Sequence, residues 1–427
     1  MATALTDRGE SRTVASQGPA SRAISGMARA AFCLTFASAA LILFSIALSQ
    51  TLMALALAAL LLSGERFWLP PLKAPLAAIF ITTLIALAFS PDPYGGIPQI
   101  RKFYVFAILL LITSTFKTMG QARALLAVWA TVATLSAFVG LAQYLERRHE
   151  AVVENANNYD FFLDDRIRGF AGHWMTFGGE QMIVLLMLGS LILFGVWRWN
   201  RMAAMILVPL LWASIVLSLT RSIFLLGVPV GMLYLLWRWN RWAVIALPLL
   251  AAAAILLAPF QVRERVVSVV RPHGDVDSNS HRAVTRLVGW KMVQAHPWFG
   301  LGPEQIKPQF NRYVPPSVPR PLPHGWYGHL HNIYLQYAAE RGIPGLLAIL
   351  WFVGKALLDF ARALRGRLPR GAPFLLHGAI AVILAILAEG FFEYNLGDSE
   401  VLTMFLAVIG LAYACTRARG QADPSCA

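Results

Sequence analysis

The segment HLHNIYLQYAAERGIPG, residues 329–345, closes a long polar stretch that runs from about Gln261 to Arg341. The sequence on both sides of this stretch is mostly a succession of apolar runs, whereas the stretch itself is dense in arginine, histidine, tryptophan and proline. Binding and catalytic residues are concentrated in connecting segments that a rigid scaffold positions. We therefore interpret residues 261–341 as the working surface of a membrane protein.

The composition predicts an all-α polytopic integral membrane protein. Of 427 residues, 57% are hydrophobic and 14% are charged, whereas soluble domains carry roughly 25% charged residues. The net charge is +14, but the basic residues are spread over short loops between apolar runs. That distribution is typical of membrane topology rather than of a nucleic-acid footprint, so we expect no nucleic-acid partner.

About twelve apolar runs are candidates for transmembrane spans, because a helix needs about 20 residues to cross the hydrocarbon layer and somewhat fewer where flanking groups reach the interface. They lie at 29–48, 50–63, 74–90, 103–116, 122–144, 180–197, 202–219, 222–237, 242–260, 342–361, 374–393 and 400–415.

The distribution of lysine and arginine sets the orientation. With both termini in the cytoplasm, every short cytoplasmic link is basic, and two long inserts lie on the opposite face. The predicted division is a disordered cytoplasmic tail (1–28), spans 1–5 (29–144), a first outer insert (145–179), spans 6–9 (180–260), a large outer loop with short amphipathic helices (261–341), spans 10–12 (342–415) and a cytoplasmic tail (416–427).

Two further patterns have plain explanations. The sequence WRWNR occurs at 197–201 and again at 237–241, at the cytoplasmic ends of two spans, which favours interfacial anchors. The three cysteines, Cys33, Cys415 and Cys426, lie in or beside the terminal helices, and the polar inserts contain none. We therefore expect neither a disulfide framework nor a zinc site.

The large loop contains a predicted surface helix that starts at Ser280 and ends before Pro297. On this helix Arg282, Arg286 and Trp290 share one face, and Val284, Leu287, Val288 and Met292 form an apolar side. The proline-rich run at 315–323 must be extended.

His331 is the first candidate for chemistry. It precedes a predicted helix that Asn332 caps and that stops at Gly342. A helix N-terminus disfavours a cationic imidazole, so we expect a lowered pKa and a neutral ring that can act as a general base. Alternatively, His331 simply hydrogen-bonds the backbone of a loop. His329 competes for the same role, with His324, His296 and His281 as weaker candidates.

Arg221 lies between two apolar runs, where a charge is costly without a partner. Its planar guanidinium suits phosphate oxygens, although a snorkelling interfacial arginine would look the same. Arg286, together with Arg168 and His173 of the first insert, adds positive charge on the same membrane face. Their combination favours an anionic ligand.

Each acidic candidate also has an explanation other than a functional role. Glu389 lies within the eleventh apolar run and Glu393 near its end, and we expect each to pair with a basic residue on a neighbouring helix. Asp275 and Asp277 have the spacing of a metal-holding acidic pair, but a polar turn predicts solvated residues there. No metal is expected.

The motifs, taken in order, resemble the bacterial O-antigen ligase family, which belongs to a superfamily with O-antigen polymerases and protein O-oligosaccharyltransferases. The motifs are SLTRS (218–222), RLVGW (286–290), PWFGLG (297–302), HNIYLQ (331–336) and ERGIPG (340–345).

The resemblance implies an inner-membrane glycosyltransferase of the GT-C type that needs no cofactor or metal and inverts the anomeric centre. It would transfer O-antigen polysaccharide from undecaprenyl pyrophosphate to the lipid A core oligosaccharide at the periplasmic face. The family's essential histidine corresponds to His331 and its two essential arginines to Arg221 and Arg286. Further roles are expected for Arg168 and His173 in the donor cavity, and for Asn332 and Glu340 as orienting residues.

Three alternatives stay open. A polymerase would use the same donor with another lipid-linked repeat as acceptor, and a protein O-oligosaccharyltransferase would modify serine or threonine. The length of 427 residues, without a further soluble domain, favours the ligase branch. A transporter of an anionic lipid or small molecule would concentrate its polar groups near mid-membrane, whereas here they cluster in one outer insert. The oligomeric state is not predicted.

Overall fold

A computed structural model describes residues 19–156, 159–273 and 277–417. Within these ranges the regular structure is helical and contains no strand, which confirms the all-helical prediction. Residues 1–18 of the predicted N-terminal tail, residues 418–427 and Asp275 lie outside the described residues. The prediction of a disordered tail at 1–28 is wrong for residues 19–28, which form the start of a helix at Pro19–Leu41.

The α-helices follow one another with short links in most places. They are α1 Pro19–Leu41, α2 Ile46–Leu62, α3 Lys73–Ala88, α4 Pro93–Arg101, α5 Ala107–Thr115, α6 Met119–Val153, α7 Tyr159–Asp164, α8 Trp174–Phe194, α9 Arg198–Leu217, α10 Val228–Trp239, α11 Ala246–Leu257, α12 Phe260–Val267, α13 Asn279–Ala295, α14 Ile306–Gln309, α15 Ile333–Ala363, α16 Ala372–Glu389 and α17 Ser399–Arg417. A π-helical turn, Ile223–Gly227, leads into α10.

Among the described residues, seven helical segments are long and apolar enough to cross a membrane: Pro93–Thr115, Met119–Val153, Trp174–Phe194, Asn200–Leu217, Ile333–Ala363, Ala372–Glu389 and Ser399–Arg417. Four shorter apolar helices lie at Gly26–Leu41, Ile46–Leu62, Lys73–Ala88 and Ile223–Trp239. The chain is therefore a polytopic membrane protein, and the count of about twelve spans stays a prediction.

The boundary predicted between the first two spans is wrong. It was placed near residue 49, but α1 ends at Leu41 and α2 begins at Ile46. Ser45 is extended, and its side chain accepts a hydrogen bond from the Leu48 N–H. A serine inside an apolar run thus caps a new helix.

Helices α8, α16 and α17 form the centre of the bundle. About 83%, 78% and 78% of their most apolar windows are buried, whereas only 22% of the α9 window is. Helix α10 packs closely against α8 at Gly231, where a Cβ atom would lie 2.7 Å from Leu186. Small residues permit such close helix approach in membranes.

The large insert has a core of its own. Val284, Val288 and Met292 of α13 pack on Leu301, Ile306, Phe310, Leu330, Ala338 and Ala339. This confirms the predicted amphipathic helix, with its start at Asn279 rather than Ser280. Leu287, predicted on the apolar side, is 39% exposed. The proline-rich run at 315–323 is non-helical, as predicted, but it is not extended throughout, because the Val318 N–H donates to the Pro315 carbonyl oxygen in a turn.

The insert ends on α15. The Asn332 side chain accepts a hydrogen bond from the Leu335 N–H, 2.9 Å away, which confirms the predicted cap. Gly342 interrupts the helix with φ 72° and ψ 175°. A Cβ atom there would lie 2.2 Å from the Trp298 carbonyl oxygen, so a glycine is required. The short helix that follows His331 is thereby fixed between a cap and a kink.

Candidate active site

His331 lies between two oxygen atoms just before α15. Its Nδ1 is 3.3 Å from Glu393 Oε2, and its Nε2 is 3.3 Å from the Trp326 carbonyl oxygen. The residue is buried and has φ 47°, a left-handed conformation that is uncommon outside glycine and frequent at functional sites. Both oxygens would accept hydrogen bonds from a protonated imidazole.

Glu393 links this histidine to α13. The residue is fully buried, and its other carboxylate oxygen accepts from the Arg282 guanidinium. Burial alone would raise the pKa of Glu393, but Arg282 and then His331 lower that pKa to about 2. Glu393 is therefore a carboxylate at neutral pH, and its predicted pairing with a basic residue is confirmed.

The hydrogen-bond partners of Glu389 differ from those of Glu393. Its Oε1 accepts from Asn395 Nδ2 at 2.5 Å, and its Oε2 is buried without a hydrogen-bond partner. No basic residue pairs with Glu389 in the described part of the chain, so the predicted ion pair is wrong for this residue.

Two more histidine rings surround His331. The ring centroids of His329 and His281 lie 4.1 and 5.1 Å from that of His331. Burial and then the charge of His331 lower the pKa of His329 to about 3 and that of His281 to about 4. Both rings are consequently neutral at physiological pH.

Arg221 is buried, with polar but uncharged partners. Its Nη1 donates to Ser268 Oγ at 2.9 Å and its Nη2 to Asn279 Oδ1 at 2.6 Å. Burial, helped by nearby Arg265 and Arg282, lowers the pKa of Arg221 to about 10. The guanidinium stays protonated at neutral pH and has no carboxylate partner among the described residues.

A buried ion pair supports the turn before Arg221. Asp277 Oδ1 accepts from Arg265 at 2.8 Å and from the Tyr159 hydroxyl at 2.7 Å, and Oδ2 accepts from the His273 N–H at 2.8 Å. Arg265 Nε also donates to the carbonyl oxygen of Leu219, whose φ is 55°. The prediction that Asp277 is a solvated turn residue is therefore wrong.

Arg286 lies on the outer flank of the cluster. Its side chain is exposed; Cζ is 4.6 Å from the centroid of the Phe392 ring, and Nη2 is 3.5 Å from the Phe391 carbonyl oxygen. Arg282, one turn earlier on α13, points inward to Glu393 instead. The sequence placed both arginines on one face of the helix, but it could not tell which of them meets the carboxylate.

In the first insert, Arg166 rather than the predicted Arg168 lies near the cationic residues of the cluster. Arg168 is exposed, and its side chain forms no hydrogen bond or ion pair among the described residues; its backbone N–H donates to Gln143. Arg166 instead stacks over the Trp174 ring at 4.9 Å. Burial, then Arg265 and Arg282, lower the pKa of Arg166 to about 9, which places it in the same cationic neighbourhood as Arg221.

His173 caps α8, where its Nδ1 accepts from the Met175 N–H at 3.2 Å. Burial and then the charge of Arg166 lower the pKa of His173. Glu393 and His331 also influence the pKa of His173 electrostatically, so His173 lies near the cluster. No signal in the sequence distinguishes Arg166 from Arg168, since both precede Gly169 in one short loop.

The two predicted orienting residues lie at different distances from His331. Asn332 Nδ2 donates to the Phe391 carbonyl oxygen at 3.0 Å, which ties α15 to the link that contains Glu393. Glu340 lies further along the same helix and accepts a hydrogen bond from Gln336 Nε2 at 2.9 Å. Gln336 Oε1 in turn accepts a hydrogen bond from the Leu330 N–H at 2.9 Å. Within the described residues, Glu340 is therefore connected to the His331 loop through Gln336.

Residues 206–350 match the family model described as O-antigen ligase. The matched range contains Arg221, Arg286 and His331, and leaves Arg166 and Glu393 outside. The match supports the resemblance that the ordered motifs indicate. A comparison with curated proteins found no match.

Proposed function

We propose that this protein, which residues 206–350 assign to the O-antigen ligase family, joins O-antigen polysaccharide to the lipid A core oligosaccharide. The donor is undecaprenyl pyrophosphate-linked polysaccharide, and transfer takes place at the periplasmic face of the bacterial inner membrane. The enzyme is a GT-C-type glycosyltransferase that inverts the anomeric centre without a metal or cofactor.

One observation carries this proposal: the cluster around His331 contains positive charge that no carboxylate of the described residues neutralises. Arg265 pairs with Asp277 and Arg282 with Glu393, whereas among the described residues Arg221 donates hydrogen bonds to the uncharged Ser268 and Asn279. A buried charge is expensive unless an opposite charge or a ligand compensates it.

Arg166 adds to the same excess of positive charge. Its Nε donates to the Leu163 carbonyl oxygen at 3.2 Å, and its guanidinium stacks on Trp174, both uncharged partners. Arg221 and Arg166 together favour a doubly charged anion, and guanidinium groups bind phosphate oxygens bidentately. A pyrophosphate leaving group would supply the missing negative charge.

The proposed chemistry is a single in-line displacement. The acceptor hydroxyl loses its proton to His331 Nε2 as its oxygen attacks the anomeric carbon. The bond from that carbon to the pyrophosphate oxygen breaks, and the electron pair leaves with the pyrophosphate, whose growing charge Arg221 stabilises. The imidazolium then donates from Nδ1 to Glu393 Oε2, which orients the ring and stabilises its charge.

His329 is a poor candidate for the base. A pKa of about 3 makes the His329 imidazole a weak proton acceptor at neutral pH, and general bases work best when their pKa lies near the working pH. We therefore assign the base to His331. Arg286 completes the pyrophosphate site from its outer flank, and Arg168 with His173 contacts the donor.

Membranes of a ligase-deficient bacterium that express this chain test the proposal. With a compatible donor present, we expect a ladder of polysaccharide attached to lipid A core, and no ladder from His331→Ala at equal expression. Longer lipid-linked chains without modified lipid A core would instead identify a polymerase. Glycan attached to a protein would identify an O-oligosaccharyltransferase.

A further inference from the structure

Gln336 is a buried side chain of α15 that reaches back towards His331. Its Oε1 accepts a hydrogen bond from the Leu330 N–H at 2.9 Å, and its Nε2 donates to Glu340 Oε1 at 2.9 Å. Leu330 directly precedes His331, and its side chain packs in the core of the large insert. The backbone on the N-terminal side of the proposed base is therefore held by one amide group of the following helix.

An ion pair fixes the direction of that amide group. Arg341 Nη1 donates to Glu340 Oε2 at 2.8 Å, and the Glu304 N–H donates to Glu340 Oε1 at 3.2 Å. A carboxylate only accepts hydrogen bonds, so Gln336 must turn its NH2 group towards Glu340. Its carbonyl oxygen then faces the Leu330 N–H, and the opposite orientation of the amide would satisfy neither partner.

The far end of this network is attached to two helices of the bundle. Arg341 Nε donates to Thr83 Oγ1 on α3 at 3.2 Å, and Arg341 Nη2 donates to Gln99 Oε1 on α4 at 3.3 Å. These side chains are buried, like Gln336 and Glu340. A buried polar network rigidifies a structure where its members are paired. The network therefore connects the loop before His331 to α3 and α4.

The conformation of His331 requires such support. A φ of 47° is uncommon outside glycine and persists only where the surrounding structure imposes it. Asn332 caps the helix on the C-terminal side of His331, and Gln336 holds Leu330 on the N-terminal side. We infer that Gln336 is a positioning residue for the transfer reaction, because it fixes this loop so that the His331 imidazole keeps its contact with Glu393. This inference rests on the proposed function.

Replacing the amide tests the inference. Gln336→Met keeps the length of the side chain but makes neither hydrogen bond, and Gln336→Asn keeps an amide that is too short for both contacts. With the purified full-length protein in lipid nanodiscs, we expect kcat for polysaccharide transfer to fall about 10–100-fold in both variants, because a slightly misplaced catalytic group loses rate. The KM for the donor should stay within about twofold of wild type, because ground-state binding is unchanged.

Tyr334→Phe is the matched control. The Tyr334 hydroxyl lies on the same helix and donates to the Leu387 carbonyl oxygen of α16 at 2.6 Å, away from the His331 loop. Loss of this one hydrogen bond should leave kcat and KM near the wild-type values.

A double-mutant cycle separates positioning from a merely structural role. In a His331→Ala background, Gln336→Met should change the residual single-turnover rate by less than about twofold, because the group that Gln336 positions is gone. The inference is wrong if the Gln336 variants keep near-normal kcat, if they raise KM instead, or if Gln336→Met costs as much in the His331→Ala background as in wild type. A loss of the same size in Tyr334→Phe would also overturn it.

The two levels of the account fail in different ways. If wild type transfers no polysaccharide to lipid A core, the proposed function fails and the role of Gln336 fails with it. Transfer by wild type with unaffected Gln336 variants overturns the positioning role alone.

Discussion

At the scale of single residues, His331 is placed by contacts that are distant in sequence. Its candidacy follows from the sequence, because it directly precedes the capping residue Asn332 and a short helix. Its partner Glu393 is 62 positions away, and the sequence offers only an acid near the end of an apolar run. Which base that acid meets is decided by the packing of α13 and α15 against the link after α16.

Replacing Glu393 tests whether the carboxylate positions the histidine. Glu393→Gln keeps the shape but removes the charge that orients and stabilises the His331 imidazolium. We expect kcat to fall about a hundredfold, as small misplacements of catalytic groups do, with little change in the KM for the donor. Glu389→Gln is the matched control and should retain near-normal kcat. Equal losses in the two variants would contradict the positioning role.

The same carboxylate predicts a pH dependence of stability. The pKa of Glu393 is lowered from 4.5 to about 2 in the folded protein, so its stabilising effect is complete above pH 4.5 and is lost as the pH falls towards 2. The free energy of unfolding of wild type in detergent should exceed that of Glu393→Gln by up to about 3 kcal/mol near pH 6. The difference should shrink between pH 4.5 and 2. A difference that stays constant over this range would show that the effect is not electrostatic.

At the scale of elements, the sequence predicts those helix features that a capping residue, a glycine or regular apolar spacing marks. It misses a helix boundary that a single residue decides. The cap at Asn332, the kink at Gly342 and the apolar face of α13 all follow from residue type and spacing. The break between α1 and α2 does not, because one serine within a long apolar run decides it. The inward direction of Arg282 and the outward direction of Arg286 depend on tertiary contacts with Glu393 and Phe392.

Two glycines of α15 give opposite predictions. Gly342→Ala would place a Cβ 2.2 Å from the Trp298 carbonyl oxygen at φ 72°, so we expect a loss of about 1–3 kcal/mol in the free energy of unfolding. Gly354 has open space around its Cβ position, so Gly354→Ala should be neutral or stabilising by up to about 1 kcal/mol. Thermal unfolding in one detergent compares them. Similar melting temperatures for both variants would contradict the account of the kink.

At the scale of the whole molecule, the site is assembled from four separate parts of the chain. Arg166 comes from the first insert, Arg221 from a link between spans, Arg282 with His331 from the large insert, and Glu393 from the link after α16. The large insert and Arg221 can be proposed from the sequence, because polar residues among apolar runs are conspicuous. The sequence could not choose Arg166 over Arg168, since their difference arises only from packing against Trp174.

The proposed metal-independent mechanism also makes a prediction for the whole enzyme. Both carboxylate oxygens of Asp277 are already bound by Arg265, Tyr159 and His273, which leaves this acid poorly suited to hold a metal. The rate of polysaccharide transfer by the purified protein should be unchanged after treatment with a metal chelator. Loss of activity that added magnesium or manganese restores would contradict the mechanism.

The central claim is that His331 takes the proton from the acceptor hydroxyl, and single-turnover transfer by the purified protein tests it most directly. His331→Ala and His329→Ala are compared with wild type at equal melting temperature. We expect His331→Ala to lose about 10²–10⁴-fold in rate, the usual contribution of a general base, and His329→Ala to stay within about tenfold of wild type, because a group with a pKa of about 3 contributes little as a base at neutral pH. A His331→Ala variant with near-normal transfer, or a His329→Ala variant with the larger loss, would show that the base has been assigned to the wrong residue.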